Sequence, residues 1–470
     1  MNYGVGITIL LVAASQTASA KTNESLATWI AAQTLASQQL LARNISPEGA
    51  KPGTVVASPS RQAPDYYYHW VRDAGLVMST WLDERQAPTI KARVENDLKD
   101  FWQITLHHQA RATIADLGEV KFYDNGEPYL GRWGRPQNDG PAIRALSLMK
   151  WRTHLAAMGS PLAADASLYS PDLRVHSAIK RDLEYVSHHW VGTDYDVWEE
   201  VRGHHFFTRL FQRYALREGA RLADAAFDPL AARWYRQNSD ELALELERHW
   251  IPELGYITAT LDRDEGLDYK SGLDSAVVIA VLETDGYANL DSDPWTVLDS
   301  RVQATVQRLE ATFIRIYEIN ARVSDVKGAM IGRYPEDTYN GLETGKRGNP
   351  WFLNTFYMAE FYYKLAAALD ARGELRVDNT SRTFWKLFVG NETLLTKERQ
   401  PQWNELMLKL VKHGDAILAH ARTYVGEAGN LAEQIHRDEG RQVGARDLSW
   451  SYSSFLRAAT ARERVATYLD

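Results

Sequence analysis

The sequence predicts an all-α fold with little strand: a closed ring of six helical hairpins, an (α/α)6 toroid. Three observations point there. About a dozen segments carry apolar residues at helical spacing, as in Leu26, Ile30, Leu35, Leu40 and Leu41. Six loops, around residues 66, 133, 196, 272, 340 and 440, each feed such a segment, with a further helix mostly between them. Strand-like alternation is scarce, and residues 255–261 are the best candidate for part of a small hairpin. An open helical solenoid would show repeats more alike in sequence than these.

In chain order, helices are expected over residues 24–44, from about 72, and over 89–108. The rich loop 122–139 then leads into another, and 171–191, 206–223 and 229–249 follow. Ser271-Gly-Leu-Asp274 begins the next helix. Residues 295–317, 352–371, 402–424 and 451–469 complete the set, while 374–399 are polar and variable in pattern. No linker or low-complexity stretch divides the chain, so one domain is expected over 21–470. Residues 1–20 read as a cleaved export signal, with an apolar run from Gly6 to Ala14 and a small-residue site at Ala18-Ser19-Ala20. That predicts a secreted or periplasmic protein. With no cysteine, its stability must come from the core and not from disulfides.

Hydrophobic residues make up 45% of the 470, enough for a large core. A net charge of −8 argues against nucleic acid or an anionic membrane as the main partner. Fifteen tryptophans and 23 tyrosines accompany Asp, Glu and Arg in the loops. Such clusters suit sugar rings, whose faces are apolar and whose edges are polar. The densest stretch is Tyr195-Asp196-Val197-Trp198-Glu199-Glu200, with three acids and two aromatics in six residues. Adjacent side chains point different ways, so the two glutamates can have different surroundings. One carboxyl set in an apolar wall against Trp198 would hold its proton near neutrality, and the other would stay ionised. A retained proton is what a general acid for glycoside cleavage requires. A capped helix start with a solvated acidic turn is the alternative. The pairs His107–His108, His188–His189 and His204–His205 lack ligand spacing, so no metal or cofactor is expected.

Several long stretches carry a resemblance. They are PDYYYHWVRDAGLV from residue 64, GEVKFYDN from 118, YLGRWGRPQNDGPAIRA from 129 and YDVWEEVRGHHFFT from 195. GRYPEDTYNG from 332, GNPWFL from 348, Ala432-Glu433-Gln434 and GARDLSWSY from 444 follow in order. With these motifs the chain resembles the glucoamylases of glycoside hydrolase family 15. The resemblance implies an inverting, exo-acting hydrolase with an (α/α)6 barrel. Such an enzyme releases β-D-glucose from the non-reducing ends of α-1,4-glucans and cleaves α-1,6 links more slowly. By position Glu199 matches the general acid and Glu433 the general base. Arg72, Asp73 and Arg333 match residues that hold the glucose. Tyr66, Trp133, Val197, Trp198, Glu200, Gln434 and Trp450 match walls and partners of that site, and Tyr129, Tyr339 and Trp351 its mouth. In an inverting mechanism the two carboxyls stand roughly 6.5–9.5 Å apart to admit a water.

Departures from the family pattern include Val197 for Leu, Ile435 for Tyr and Gly444 for a Ser near the base, which predicts a shifted pH response. Residues 342–348, with Glu343, Lys346 and Arg347, are extra chain beside the mouth. A starch-binding module is not expected after the barrel, which favours soluble dextrins and oligosaccharides as partners of a monomeric enzyme. A preference for α-1,6-glucan or trehalose, and a catalytically silent sugar-binding protein, are the competing readings. An acidic to neutral pH optimum is expected if Glu433 must be ionised while Glu199 is protonated.

Overall fold

The computed structural model describes residues 24–84, 90–290, 292–322 and 328–469. The expected export signal at residues 1–20 lies outside the described residues. Twelve long helices follow one another as α1 (Leu26–Asn44), α2 (Val71–Asp83), α3 (Lys91–Gln109), α4 (Asp139–Ala157), α5 (Ala178–His189), α6 (Phe206–Ala225), α7 (Pro229–Glu247), α8 (Ala276–Thr284), α9 (Ser300–Ile316), α10 (Phe352–Arg372), α11 (Gln400–Arg422) and α12 (Ser449–Glu463). The even-numbered helices form an inner ring. Each packs on the next even helix, and α12 returns to α2. The odd-numbered helices lie outside, with α1 against α12, α3 against α2, α5 against α4, α7 against α6, α9 against α8 and α11 against α10.

Sequence pattern decides which ring a helix joins. α10 buries 16 of its 21 residues and α8 buries all nine, because both are enclosed on every side. α9 buries only Val302, Gln303, Thr305, Val306, Leu309, Glu310 and Phe313, a stripe at the spacing of one helix face. A helix that is apolar all round has no face to offer solvent and must lie inside.

The boundaries differ from expectation where side chains compete with the helix. α5 was expected from residue 171 but begins at Ala178. Ser170 Oγ accepts from Asp172 N (3.2 Å), and Asp172 Oδ1 accepts from Arg174 N (3.0 Å), so this segment satisfies its backbone in local turns. The helix expected from residue 295 begins at Ser300, after Asp299 caps it by accepting from Arg301 N at 2.8 Å. Residues 374–399 hold a hairpin of Glu374–Arg376 with Leu394–Thr396, and a short helix Arg382–Val389. The expected strand at 255–261 is split. Tyr256–Ile257 pairs with Trp250–Ile251, whereas Thr260–Gly266 joins Val201–His205.

The inner ring sets the site. Arg72 and Asp73 lie in the first turn of α2, Trp351 is the residue before α10, and Trp450 is the second residue of α12. Glu199 lies on the loop before α6, and all five line one cavity. Helix N-termini present unpaired N–H groups and a partial positive charge, which favours carboxylates collected there. Among the described residues, no helix is long and apolar enough to cross a membrane.

Candidate active site

The central loop is a hairpin tip. Strand β3 (Asp194–Tyr195) pairs antiparallel with β4 (Val201–His205), Tyr195 facing Arg202. The buried Asp196 organises the tip: its Oδ1 accepts from Glu200 N (2.7 Å) and Val201 N (2.9 Å), and its carbonyl accepts from Glu199 N (2.8 Å). Burial favours a neutral Asp196, but the Lys270 ammonium at 3.1 Å outweighs it and holds the carboxyl below its usual range. Tightened this way, the turn puts Glu199 at φ +66°, in the left-handed region that side-chain-bearing residues seldom occupy. The two adjacent glutamates therefore diverge.

Glu199 Oε1 accepts from Trp70 Nε1 (2.7 Å), Gln137 Nε2 (3.1 Å) and Arg72 Nη2 (3.4 Å), and Oε2 accepts from Trp133 Nε1 (2.8 Å). Glu200 turns the other way, accepting from Arg333 Nη2 (2.8 Å) and the Tyr334 hydroxyl (2.5 Å). The apolar wall expected from Trp198 is not the environment Glu199 meets. Trp198 donates its indole N–H to Asp274 at 2.9 and 3.1 Å, and Glu199 lies among donors. Behind those donors Lys121 Nζ sits 3.3 Å from the Trp133 ring centroid and 4.3 Å from that of Trp70. Burial lowers this ammonium to about 8 against the pull of the Glu199 charge.

Each of the two glutamates has its own arginine, Arg72 at Glu199 and Arg333 at Glu200. Arg72 donates to Gln137 Oε1 (2.8 Å) and Asp139 Oδ2 (3.2 Å), and its Nε lies 3.3 Å from Asp73 Oδ2. Desolvation pushes Asp73 up to about 6 despite Arg72, and its Oδ2 has no hydrogen bond among the described residues. Arg333 is held bidentately by Asp337 at 2.9 and 2.6 Å. Its guanidinium lies 5.5 Å from the Trp198 ring and 5.4 Å from each of Tyr339 and Trp351.

Glu433 is reached from a different loop, and its side chain is wholly buried. Its N–H bonds to Ala445 O, and Oε2 accepts from Gln434 Nε2 at 3.3 Å. Oε1 has no well-formed hydrogen bond among the described residues. Burial pushes the carboxyl up to about 8, against the nearby Tyr66 hydroxyl and the Arg333 charge. Burial thus makes Glu433 a carboxyl that holds its proton, a property the sequence suggested for the acidic stretch 195–200. Gly444, at φ +76°, packs directly on it: a Cβ there would fall 2.3 Å from Glu433 Oε2.

Glu199 and Glu433 share a cavity of about 800 Å³. Tyr66, Arg72, Asp73, Trp133, Val197, Trp198, Glu200, Arg333, Tyr339, Trp351 and Trp450 line it with them. Leu342 and Thr344 bring the extra stretch to its edge. Tyr129 and Gln434 are not lining residues. Tyr129 packs edge-on behind Trp133 at 5.8 Å, and the buried Gln434 ties Glu433 to Asn349 (2.9 Å). Sequence reasoning missed Trp70, Gln137, Asp139 and Lys121. All four lie within the quoted motifs, but nothing in a motif says which members face a carboxylate. The histidine pairs diverge: His204 meets Asp262, whereas His205 meets Thr260 and the Asp194 carbonyl.

Comparison with known proteins gives one consistent result. Residues 32–460 match the model of the glycosyl hydrolases family 15. The chain is 35% identical to a glucoamylase of Blastobotrys adeninivorans over 455 residues, covering 92% of this chain and 71% of that protein. It is 33% identical to glucoamylase 1 of Rhizopus oryzae, covering 94% and 72%. The solved glucoamylase of Saccharomycopsis fibuligera superposes with a TM-score of 0.85 at 30% identity, covering 94% of this chain and 96% of that one.

Proposed function

The chain belongs to glycosyl hydrolase family 15, and from that premise we propose that Glu199 is its general acid and Glu433 its general base. The enzyme is a glucan 1,4-alpha-glucosidase of the glucoamylase type. It releases glucose from the ends of starch-like α-glucans with inversion. The observation that carries the residue assignment is the meeting, in one cavity, of two carboxyls from different loops with opposite surroundings.

Protonated Glu199 donates to the glycosidic oxygen as the bond to the anomeric carbon breaks. As the proton leaves, negative charge develops on Glu199 oxygens already aimed at by two indole N–H groups, Gln137 and Arg72. Donors fixed before the reaction cost no reorganisation and stabilise that charge in the transition state. On the other face Glu433 takes a proton from the attacking water. A carboxylate raised by burial is a stronger base than an exposed one. Oε1, without a strong partner of its own, is the oxygen free to accept it. Asp73 Oδ2 accepts sugar hydroxyls, and Arg72 offsets its charge. The apolar faces of Trp198, Trp351 and Trp450 wall the ring. Gln434 positions the base, and Tyr129 braces the Trp133 wall from behind.

Residues 21–470 act as one catalytic unit, exported after removal of residues 1–20. Mass analysis of protein recovered outside the cell tests this, and a product that retains residues 1–20 refutes it. Proton NMR of fresh maltoheptaose digests, with isomaltose and trehalose in parallel, tests the chemistry. β-Glucose appearing before mutarotation is the expected result. Early α-glucose would remove Glu433 from the role of base. Binding without turnover would leave a sugar-binding protein.

A further inference from the structure

Trp450 forms part of the sugar wall, yet its polar edge faces into the barrel. Its indole N–H donates to the Tyr357 hydroxyl at 2.9 Å, and that hydroxyl in turn donates to Glu283 Oε1. Glu283 Oε2 lies 3.1 Å from Arg457 Nη1, and Arg457 is clamped by Glu360 at 2.8 and 3.1 Å. The chain runs through three neighbouring inner helices, α12, α10 and α8, and returns to α12 at Arg457. Tyr357 is 1% exposed, so no solvent competes for its hydroxyl.

Every donor in this chain has its direction fixed. Arg457 can only donate, which makes Glu283 an acceptor. Glu283 then accepts a hydrogen bond from the Tyr357 hydroxyl, so the Tyr357 oxygen must accept from Trp450. An indole rotated end for end would leave the buried Tyr357 oxygen without this donor, at the cost of a lost hydrogen bond. Trp450 also stacks on Trp198, with ring centroids 6.4 Å apart and planes 24° from parallel, so its setting is passed on to the neighbouring wall.

We infer that Tyr357, held by Glu283 and Arg457, is a positioning residue that fixes the face Trp450 presents to the bound sugar. This rests on the cavity being the glucose site. None of the three touches substrate, so their effect appears in sugar affinity. A wall present in ground and transition states alike contributes uniform binding, which appears in KM while kcat holds.

The test compares Tyr357→Phe with Tyr363→Phe, using maltoheptaose kinetics and thermal melts. Tyr363 loses an equivalent interior hydroxyl bond, to Asp415 at 2.8 Å, and is not among the residues lining the cavity. Expected are a rise of about 3- to 10-fold in KM for Tyr357→Phe with kcat within about two-fold, and an unchanged KM for Tyr363→Phe. Glu283→Gln keeps an acceptor for the Tyr357 hydroxyl and should stay near the wild-type KM. If both Phe variants lower Tm alike and neither changes KM, Tyr357 is structural only and the inference fails. Should the wild type itself turn over no glucan, the reading of the cavity fails instead.

Discussion

Glu199 and Glu433 are the same residue type in the same cavity, and they are built in opposite ways. Glu199 sits on a hairpin tip and is only partly buried, and four side chains donate to its oxygens. Glu433 is wholly buried, with one weak donor at 3.3 Å and one oxygen without a well-formed hydrogen bond. The contrast has a chemical sense. In the proposed mechanism, cleavage moves a proton off Glu199 and another onto Glu433. The donors around Glu199 welcome the charge left behind, and burial of Glu433 welcomes the proton gained. Each wall favours its carboxyl as it stands after the bond has broken. Such a site works from a less favoured starting state and gains driving force in the chemical step, the compromise that governs general acid–base catalysis.

The largest effect should separate the two carboxyls. Glu199→Gln and Glu433→Gln should each lower kcat on maltoheptaose by about 10²- to 10⁴-fold. A substrate whose leaving group needs no proton, such as a glucosyl fluoride, should restore most of the loss in Glu199→Gln and little in Glu433→Gln. Equal restoration would dissolve the distinction. Next comes the donor wall: Trp133→Phe removes one N–H from Glu199 Oε2, and kcat should fall about 10- to 100-fold. The burial wall is disturbed by Gly444→Ala, whose Cβ would fall 2.3 Å from Glu433 Oε2. Displacing that carboxylate should cost about ten-fold in kcat with little change in KM, and unaltered kinetics would show that the base does not need its present position.

A smaller effect should appear in stability. At low pH both folded and unfolded chains keep the Glu433 proton. As pH rises past the ordinary carboxyl range the unfolded chain ionises first, so folding becomes less favourable. This loss continues until the folded carboxyl also ionises near about 8. Glu433→Gln has no such penalty. Its Tm relative to wild type should therefore climb between about pH 5 and 8 and level off above. A difference that stays flat across that range would mean Glu433 ionises normally.

The ring of paired helices was legible in the sequence because inner and outer helices differ in how much of their circumference is apolar, and because the loops interrupt that pattern with Gly, Arg and aromatics. The candidate acids were legible through the motifs that contain them. Their surroundings were not. Trp198 stands next to Glu199 in the chain but serves Asp274, because the turn at Asp196 sets the directions. Trp70 looks like one more aromatic after three tyrosines until β1 (His69–Trp70) pairs with β2 (Lys121–Phe122) and puts it over Lys121. Nothing in Ala432-Glu433-Gln434 says that Glu433 is wholly buried, since burial is a property of what folds around it.

The backbone at Glu199 carries one more consequence. A left-handed φ costs a side-chain-bearing residue roughly 1–2 kcal/mol, and glycine escapes this cost. Position 199 therefore reverses the usual ranking of small residues. Glu199→Gly and Glu199→Ala should both be inactive, yet the glycine variant should melt at the higher temperature. Selection for thermal robustness alone would remove the acid from this loop. In the role proposed for Glu199, its presence marks a place where stability is given up for activity.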